Sequence, residues 1–225
     1  MDDHRTRNLD GADLLSTLLA ASEDGQRLSD SEIADQVMSF FFGGIETTAA
    51  TLAWALHQVA RLPDIEERLH AEVDALVPAG GHATFDLLPQ LEYTGRIITE
   101  ILRLYPPGWL LTRITTTDTQ FDGHPIAKGT TVVCSPYLPE RFAPERWAGQ
   151  NTKGRNGALI PFGGGARKCI ADTFSITEAT LALATITARW RLTHTPGAGV
   201  TPALGAILNP RGLNMRATVR STSRA

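Results

Sequence analysis

The chain has 225 residues, room for one large domain or two small ones, with the 42% hydrophobic and 20% charged content of an ordinary globular protein. Its net charge of −3 gives no electrostatic footprint for a nucleic-acid partner, and its most apolar stretch, 37–45, is too short to cross a bilayer, so a cytoplasmic protein without membrane contact is expected. Two cysteines, Cys134 and Cys169, and six scattered histidines form neither a disulfide framework nor a side-chain metal site; a metal, if present, is held mostly by something else, as a macrocycle with one axial ligand would hold it.

Residues 10–20 read as a short helix and 25–28 as a turn. Ser29-Asp30-Ser31-Glu32 has the form of a capping box, with Leu28 and Ile33 placed as a hydrophobic staple. The longest helix follows. Ile33, Val37, Phe41, Ile45, Thr48, Leu52, Leu56 and Val59 recur at steps of three or four, which predicts one apolar face running to about Arg61. Further helices are predicted over 64–76 and 91–104, the second closed by Pro106-Pro107. Beyond Pro107, the β-branched runs 113–117, 119–121 and 131–135 predict short strands, with Cys134 a small buried strand residue. Residues 139–165 read as a Pro-, Gly- and Arg-rich meander, and 169–189 as a final helix. The stretches 205–208 and 213–216 flank Asn209-Pro210-Arg211-Gly212, the pattern of a hairpin.

Chemistry concentrates in Phe162-Gly163-Gly164-Gly165-Ala166-Arg167-Lys168-Cys169-Ile170-Ala171. Three glycines permit a tight backbone with inward amides, and the cysteine follows at the predicted start of a helix. Unpaired amides, the helix dipole and Arg167 stabilise a thiolate there. A phosphate-binding loop does not fit, because Lys168 precedes a cysteine rather than Ser or Thr. On these residues alone, a glycine-rich loop with a buried structural cysteine stays open. Glu100 and Arg103 stand three apart on a helix, an arrangement that is most often a solvated surface pair. Gly43-Gly44-Ile45-Glu46-Thr47-Thr48 lies mid-helix, where two glycines cost about 2 kcal/mol relative to alanines. That segment is either a flat or bulged backbone with polar groups at a distorted turn, or a packing notch with a solvent-facing Glu46. Phe40, Trp109, Leu110, Leu111 and Ile207 are either core or the lining of an apolar site.

Together these motifs resemble the cytochrome P450 family. The cysteine segment matches its F-x-x-G-x-R-x-C signature, with Ala171 where the family has a further glycine; Glu100-x-x-Arg103 and Gly43-Gly44-x-Glu46-Thr47-Thr48 match two more of its motifs, in order. The resemblance implies a mainly α fold with small β-sheets, the C-terminal half of the P450 fold. It comprises a long I-type helix, a K-type helix, a meander, a Cys loop and an L-type helix, with 1–225 as one partial domain whose N-terminal half is absent. It implies haem b (iron protoporphyrin IX) as cofactor, Cys169 as the iron's thiolate ligand, Phe162 packed near the sulfur in a loop that includes Gly163, and Arg167 and Arg113 on the propionates. A thiolate ligand favours O–O cleavage. Glu100, Arg103 and Arg146, with Arg141 as second choice, would form a structural triad. Gly43 and Gly44 would leave room for dioxygen and substrate, Thr47 would hydrogen-bond oxygen at the iron, and Glu46 would relay protons. Phe40, Trp109, Leu110, Leu111 and Ile207 would contact substrate.

The implied reaction inserts one atom of O2 into a hydrophobic small molecule, a terpene or small polyketide, with electrons from NAD(P)H through a ferredoxin or flavoprotein reductase. Lys153, Arg155 and Lys168 would meet an acidic carrier. The run Ser135-Pro136-Tyr137-Leu138-Pro139-Glu140 is shorter than its family counterpart. A catalytically inactive remnant and a haem-binding module without oxygenase chemistry are the rival expectations.

Overall fold

The computed structural model describes residues 13–23, 26–137, 140–149, 159–197 and 199–220. Two compact units divide the chain, Met1–Glu46 and Thr47–Ala225.

In the first unit, α1 (Leu14–Ala20) starts at Asp13, whose carboxylate accepts from the Ser16 amide at 2.7 Å; the predicted helical residues 10–12 lie outside the described residues. Where a turn is predicted over 25–28, strand β2 (Gln26–Arg27) pairs antiparallel with β1 (Ser22–Glu23). The capping box forms as the sequence predicts. The Ser29 amide and hydroxyl donate to Glu32 Oε2 at 2.8 and 2.7 Å, and the Glu32 amide donates to Ser29 Oγ at 3.3 Å. These bonds hold the Glu32 carboxyl below the usual carboxylate range.

Helix α2 (Asp30–Arg61) follows as one uninterrupted α-helix, so of the alternatives open at Gly43-Gly44 the bulge is not formed. Its predicted apolar face is buried at Ile33, but Val37, Phe41 and Ile45 are 37%, 57% and 53% exposed. Periodicity decides which residues share a helix face; burial needs an element packed on that face.

In the second unit, Pro63 occupies the first turn of α3 (Pro63–Leu76), where its missing amide costs nothing. A single 3-10 turn at Phe85–Leu87 precedes α4 (Glu92–Leu104). Leu91 at the α4 N-cap has no capping side chain. Glu72 of α3 caps it instead: its carboxylate accepts from the Tyr93 amide at 2.6 Å, the Thr94 amide at 2.9 Å and the Thr94 hydroxyl at 2.6 Å. Helices α3, α4 and α5 (Asp172–Arg189) pack on one another. Their core joins Leu69, Val73, Ile97, Ile98, Ile101, Leu183 and Ala184 to Trp54, Ala55 and Val59 from the C-terminal part of α2.

The strands form two-stranded antiparallel ribbons. β3 (Leu111–Ile114) pairs with β6 (Thr131–Cys134), and β4 (Thr119–Phe121) with β5 (His124–Ile126). Both strands of the β3–β6 ribbon are largely exposed, and Cys134, expected to be buried, is exposed with them. The predicted hairpin over 205–216 is not formed. β8 (Thr201–Leu204) pairs with β9 (Leu208–Arg211), so the turn is 205–207, and β10 (Met215–Val219) pairs with β7 (Trp190–His194). Pro210, read as a turn former, sits in β9 directly opposite Pro202 of β8, a pair at which the ladder carries no N–H donors.

Candidate functional site

The cysteine loop is shaped by its own backbone. Gly163 and Gly165 both take φ +70°, a region closed to most side chains, and 165–167 then makes a 3-10 turn. The Cys169 amide donates back to the Phe162 carbonyl at 2.9 Å. That bond diverts the cysteine from the helix predicted to begin at 169; α5 begins only at Asp172. Cys169 is a free, exposed thiol rather than a buried structural one. Ile170, next in sequence, and Phe174, five residues on, are 81% and 69% exposed. Arg167 lies exposed in the 3-10 turn, and Phe162 packs half-buried against the core. A Cβ placed on Gly163 would lie 3.9 Å from Leu111, which puts the loop beside the start of β3.

Of the three cations expected to face an acidic carrier, Lys153 and Arg155 lie outside the described residues. Lys168 is ion-paired to Asp172 one helical turn on, and this pair holds the Asp172 carboxyl below its usual range.

The Glu100 carboxylate is completely buried and ringed by donors. Arg103 binds it with two nitrogens, Nε at 2.9 Å and Nη2 at 2.8 Å. The Ala143 amide donates at 3.0 Å and the Trp147 indole at 2.8 Å. The pair is therefore a buried structural centre, not the solvated bridge its spacing alone favours. Arg146, in the 3-10 turn Pro144–Trp147, brings Nε to 3.7 Å from Glu100, and that buried nitrogen has no hydrogen-bond partner. Arg141 contributes only its carbonyl, 3.4 Å from Arg103 Nη2, and Glu140 accepts from Arg103 Nη1 at 2.8 Å. Trp147, Glu140 and the Ala143 amide were missed from sequence; the only signal was the adjacency of Trp147 to Arg146.

On α2, Phe40 is half-buried and Glu46 exposed, and a Cβ on Gly43 or Gly44 would meet nothing within 4 Å. In the second unit, Thr47 is half-buried and its carbonyl accepts from the Thr51 hydroxyl at 3.0 Å. The structure brings the two predicted substrate segments together: the Trp109 indole donates to the Gly205 carbonyl at 2.8 Å, and the Leu208 amide to the Pro107 carbonyl at 3.1 Å. Trp109, Leu111 and Ile207 are half-buried, and Leu110 is exposed. Arg113 is exposed, its guanidinium donating to the carbonyl of Thr112 at 2.8 Å.

The donor set suits an iron carried in a macrocycle. Cys169 offers an exposed thiol on a glycine-turned loop, and among the described residues no group of three or more His, Cys, Asp or Glu assembles to hold a bare ion. Among the described residues no helix is long and apolar enough to cross a membrane.

A family model described as Cytochrome P450 matches residues 2–215. The chain is 46% identical over 208 residues to cyclooctat-9-en-7-ol 5-monooxygenase of Streptomyces melanosporofaciens, an alignment covering 87% of this chain and 45% of that protein. It is 46% identical over 222 residues to pentalenene oxygenase of Streptomyces avermitilis, covering 93% and 49%. It superposes on the crystal structure of the cytochrome P450DA heme domain with a TM-score of 0.89 and 32% identity, over 98% of this chain and 52% of that one. The chain thus spans about half the length of the curated relatives it matches.

Proposed function

The chain belongs to the cytochrome P450 family, and we propose that it carries the haem-thiolate centre of a monooxygenase that inserts one atom of O2 into a hydrophobic small molecule of the terpene class. The observation that carries this reading is Cys169, a free, exposed thiol whose amide is tied to Phe162 in a loop turned by two left-handed glycines. In this reading Cys169 would hold haem b through its sulfur, Phe162 and Gly163 would lie beside that sulfur, and Arg167 and Arg113 would offer positive charge to the haem's carboxylates. Bound haem supplies the redox chemistry: NAD(P)H gives two electrons through a ferredoxin or flavoprotein reductase, one oxygen atom enters the substrate and the other leaves as water.

The chain's own residues have separable tasks. Thr47 holds a proton donor toward oxygen, and Glu46, exposed beside it in sequence, exchanges protons with solvent. Gly43 and Gly44 leave space that a side chain would fill. Glu100 and Arg103 fasten the meander, with Arg146 a weaker third member. Trp109, Leu110, Leu111 and Ile207 line an apolar substrate site in this reading, and Phe40 is a substrate contact by the resemblance, in keeping with relatives named cyclooctat-9-en-7-ol 5-monooxygenase and pentalenene oxygenase.

The test is reconstitution with haem, followed by the carbon-monoxide difference spectrum. The thiolate-type band is expected in the parent protein and absent in Cys169→Ala; a nitrogen-ligand spectrum, or none, overturns the assignment and favours an inactive remnant. Turnover of pentalenene with a surrogate ferredoxin system then separates a monooxygenase from a haem-binding module. Thr47→Ala should uncouple oxygen consumption from product while leaving the haem spectrum intact.

A further inference from the structure

The β8–β9 hairpin pairs only with itself among the described sheets, so its position depends on what pins it. Its inner end is fixed at Leu208. That side chain is fully buried, its amide donates to the Pro107 carbonyl at 3.1 Å, and its carbonyl accepts from the Trp54 indole at 3.0 Å. Trp54 cannot easily yield. It is buried on α2 and stacked on Tyr105 at 4.0 Å between ring centres, and the Tyr105 hydroxyl accepts from Gln58 at 2.7 Å.

Across the apolar tip Ala206-Ile207, the outer end of the turn is held differently. The Gly205 carbonyl accepts from the Trp109 indole at 2.8 Å, in an exposed setting. Trp109 is itself anchored, since its carbonyl accepts from the Ser135 hydroxyl at 2.6 Å. One end of the turn is therefore a buried pivot; the other is closed by the ladder pair Leu204–Leu208 and, beyond the strand, by one indole N–H.

We propose that Trp109 is a positioning residue: its N–H fixes the 205–207 turn against residues 107–111, and this placement decides which carbon of an apolar substrate is presented for oxidation. The inference rests on the monooxygenase reading above. It gives Trp109 a task beyond lining the site, because the polar atom of the ring is committed to the protein backbone.

The test is Trp109→Phe in the haem-loaded protein, which keeps an aromatic ring and removes the donor. Backbone order parameters of the 205–207 turn should fall below those of the parent, while the Leu208 amide stays protected from exchange. The ratio of oxidation products from pentalenene should change, with the thiolate band unaltered. Unchanged order parameters overturn the tether. Lower order parameters with an unchanged product ratio overturn the specificity role alone. A parent protein without the thiolate band overturns the functional reading, and the specificity role with it, whatever the order parameters show.

Discussion

Replacing Trp147 by Phe should destabilise the protein more than replacing Arg146 by Gln, although Trp147 is neutral and Arg146 carries a charge opposite to that of Glu100. The Glu100 carboxylate has no exposure and accepts four hydrogen bonds, at 2.9 and 2.8 Å from Arg103, 3.0 Å from Ala143 and 2.8 Å from Trp147. Phe preserves most of the packing and deletes one donor to a buried charge, a loss of about 2 kcal/mol. Arg146 is 3.7 Å away with a side chain 34% exposed, so solvent screens it to roughly 0.5 kcal/mol. Gln also removes a buried Nε that has no partner, which offsets part of that loss. Urea unfolding of the two variants at equal m-value reads the difference directly. An Arg146→Gln variant as unstable as Trp147→Phe would refute the ranking by hydrogen-bond geometry.

Burial lowers both His57 and His70 from 6.5 to about 4, with His194 and Arg61 adding to the effect at His57, and Arg220 and Arg191 adding to it at His70 against the opposing pull of Asp74. The unfolded chain therefore binds more protons between these values, so stability is full above about pH 6.5 and falls toward pH 4, by roughly 2 kcal/mol per pH unit for the two together. Denaturant midpoints across that range should show the slope, and His70→Leu should reduce it by about half, His57 supplying the rest; a flat parent profile contradicts the assignment. Gly212→Ala should cost at least about 2 kcal/mol in thermal or urea unfolding, because φ is +79° and the new Cβ would meet the Gly199 carbonyl oxygen at 2.6 Å. Ser29→Ala should cost about 1 kcal/mol by removing the α2 cap, measured as lost helicity or lowered midpoint.

Features whose partners lie within a few residues were legible without coordinates. The Ser29–Glu32 box, the Glu100–Arg103 spacing and the glycine turn before Cys169 each express one helical turn or one allowed backbone region. What lay beyond that reach was decided by packing. The α4 cap comes from Glu72 on another helix, the fourth donor to Glu100 comes from Trp147, and the 205–207 turn is pinned by Trp54 and Trp109. The pattern on α2 named its apolar face correctly as a face, yet Phe41 and Ile45 stand exposed, because periodicity orients side chains without supplying a neighbour to bury them. Pro210 reads as a turn in isolation and becomes a strand residue only because Pro202 faces it across a ribbon that asks for no donor there. Sequence by itself marked the residues proposed to carry the chemistry, since that proposal rests on residue type and short spacing. Tertiary structure decided which of them touch, since a hydrogen bond between distant segments depends on how helices and ribbons come to rest and not on any local pattern.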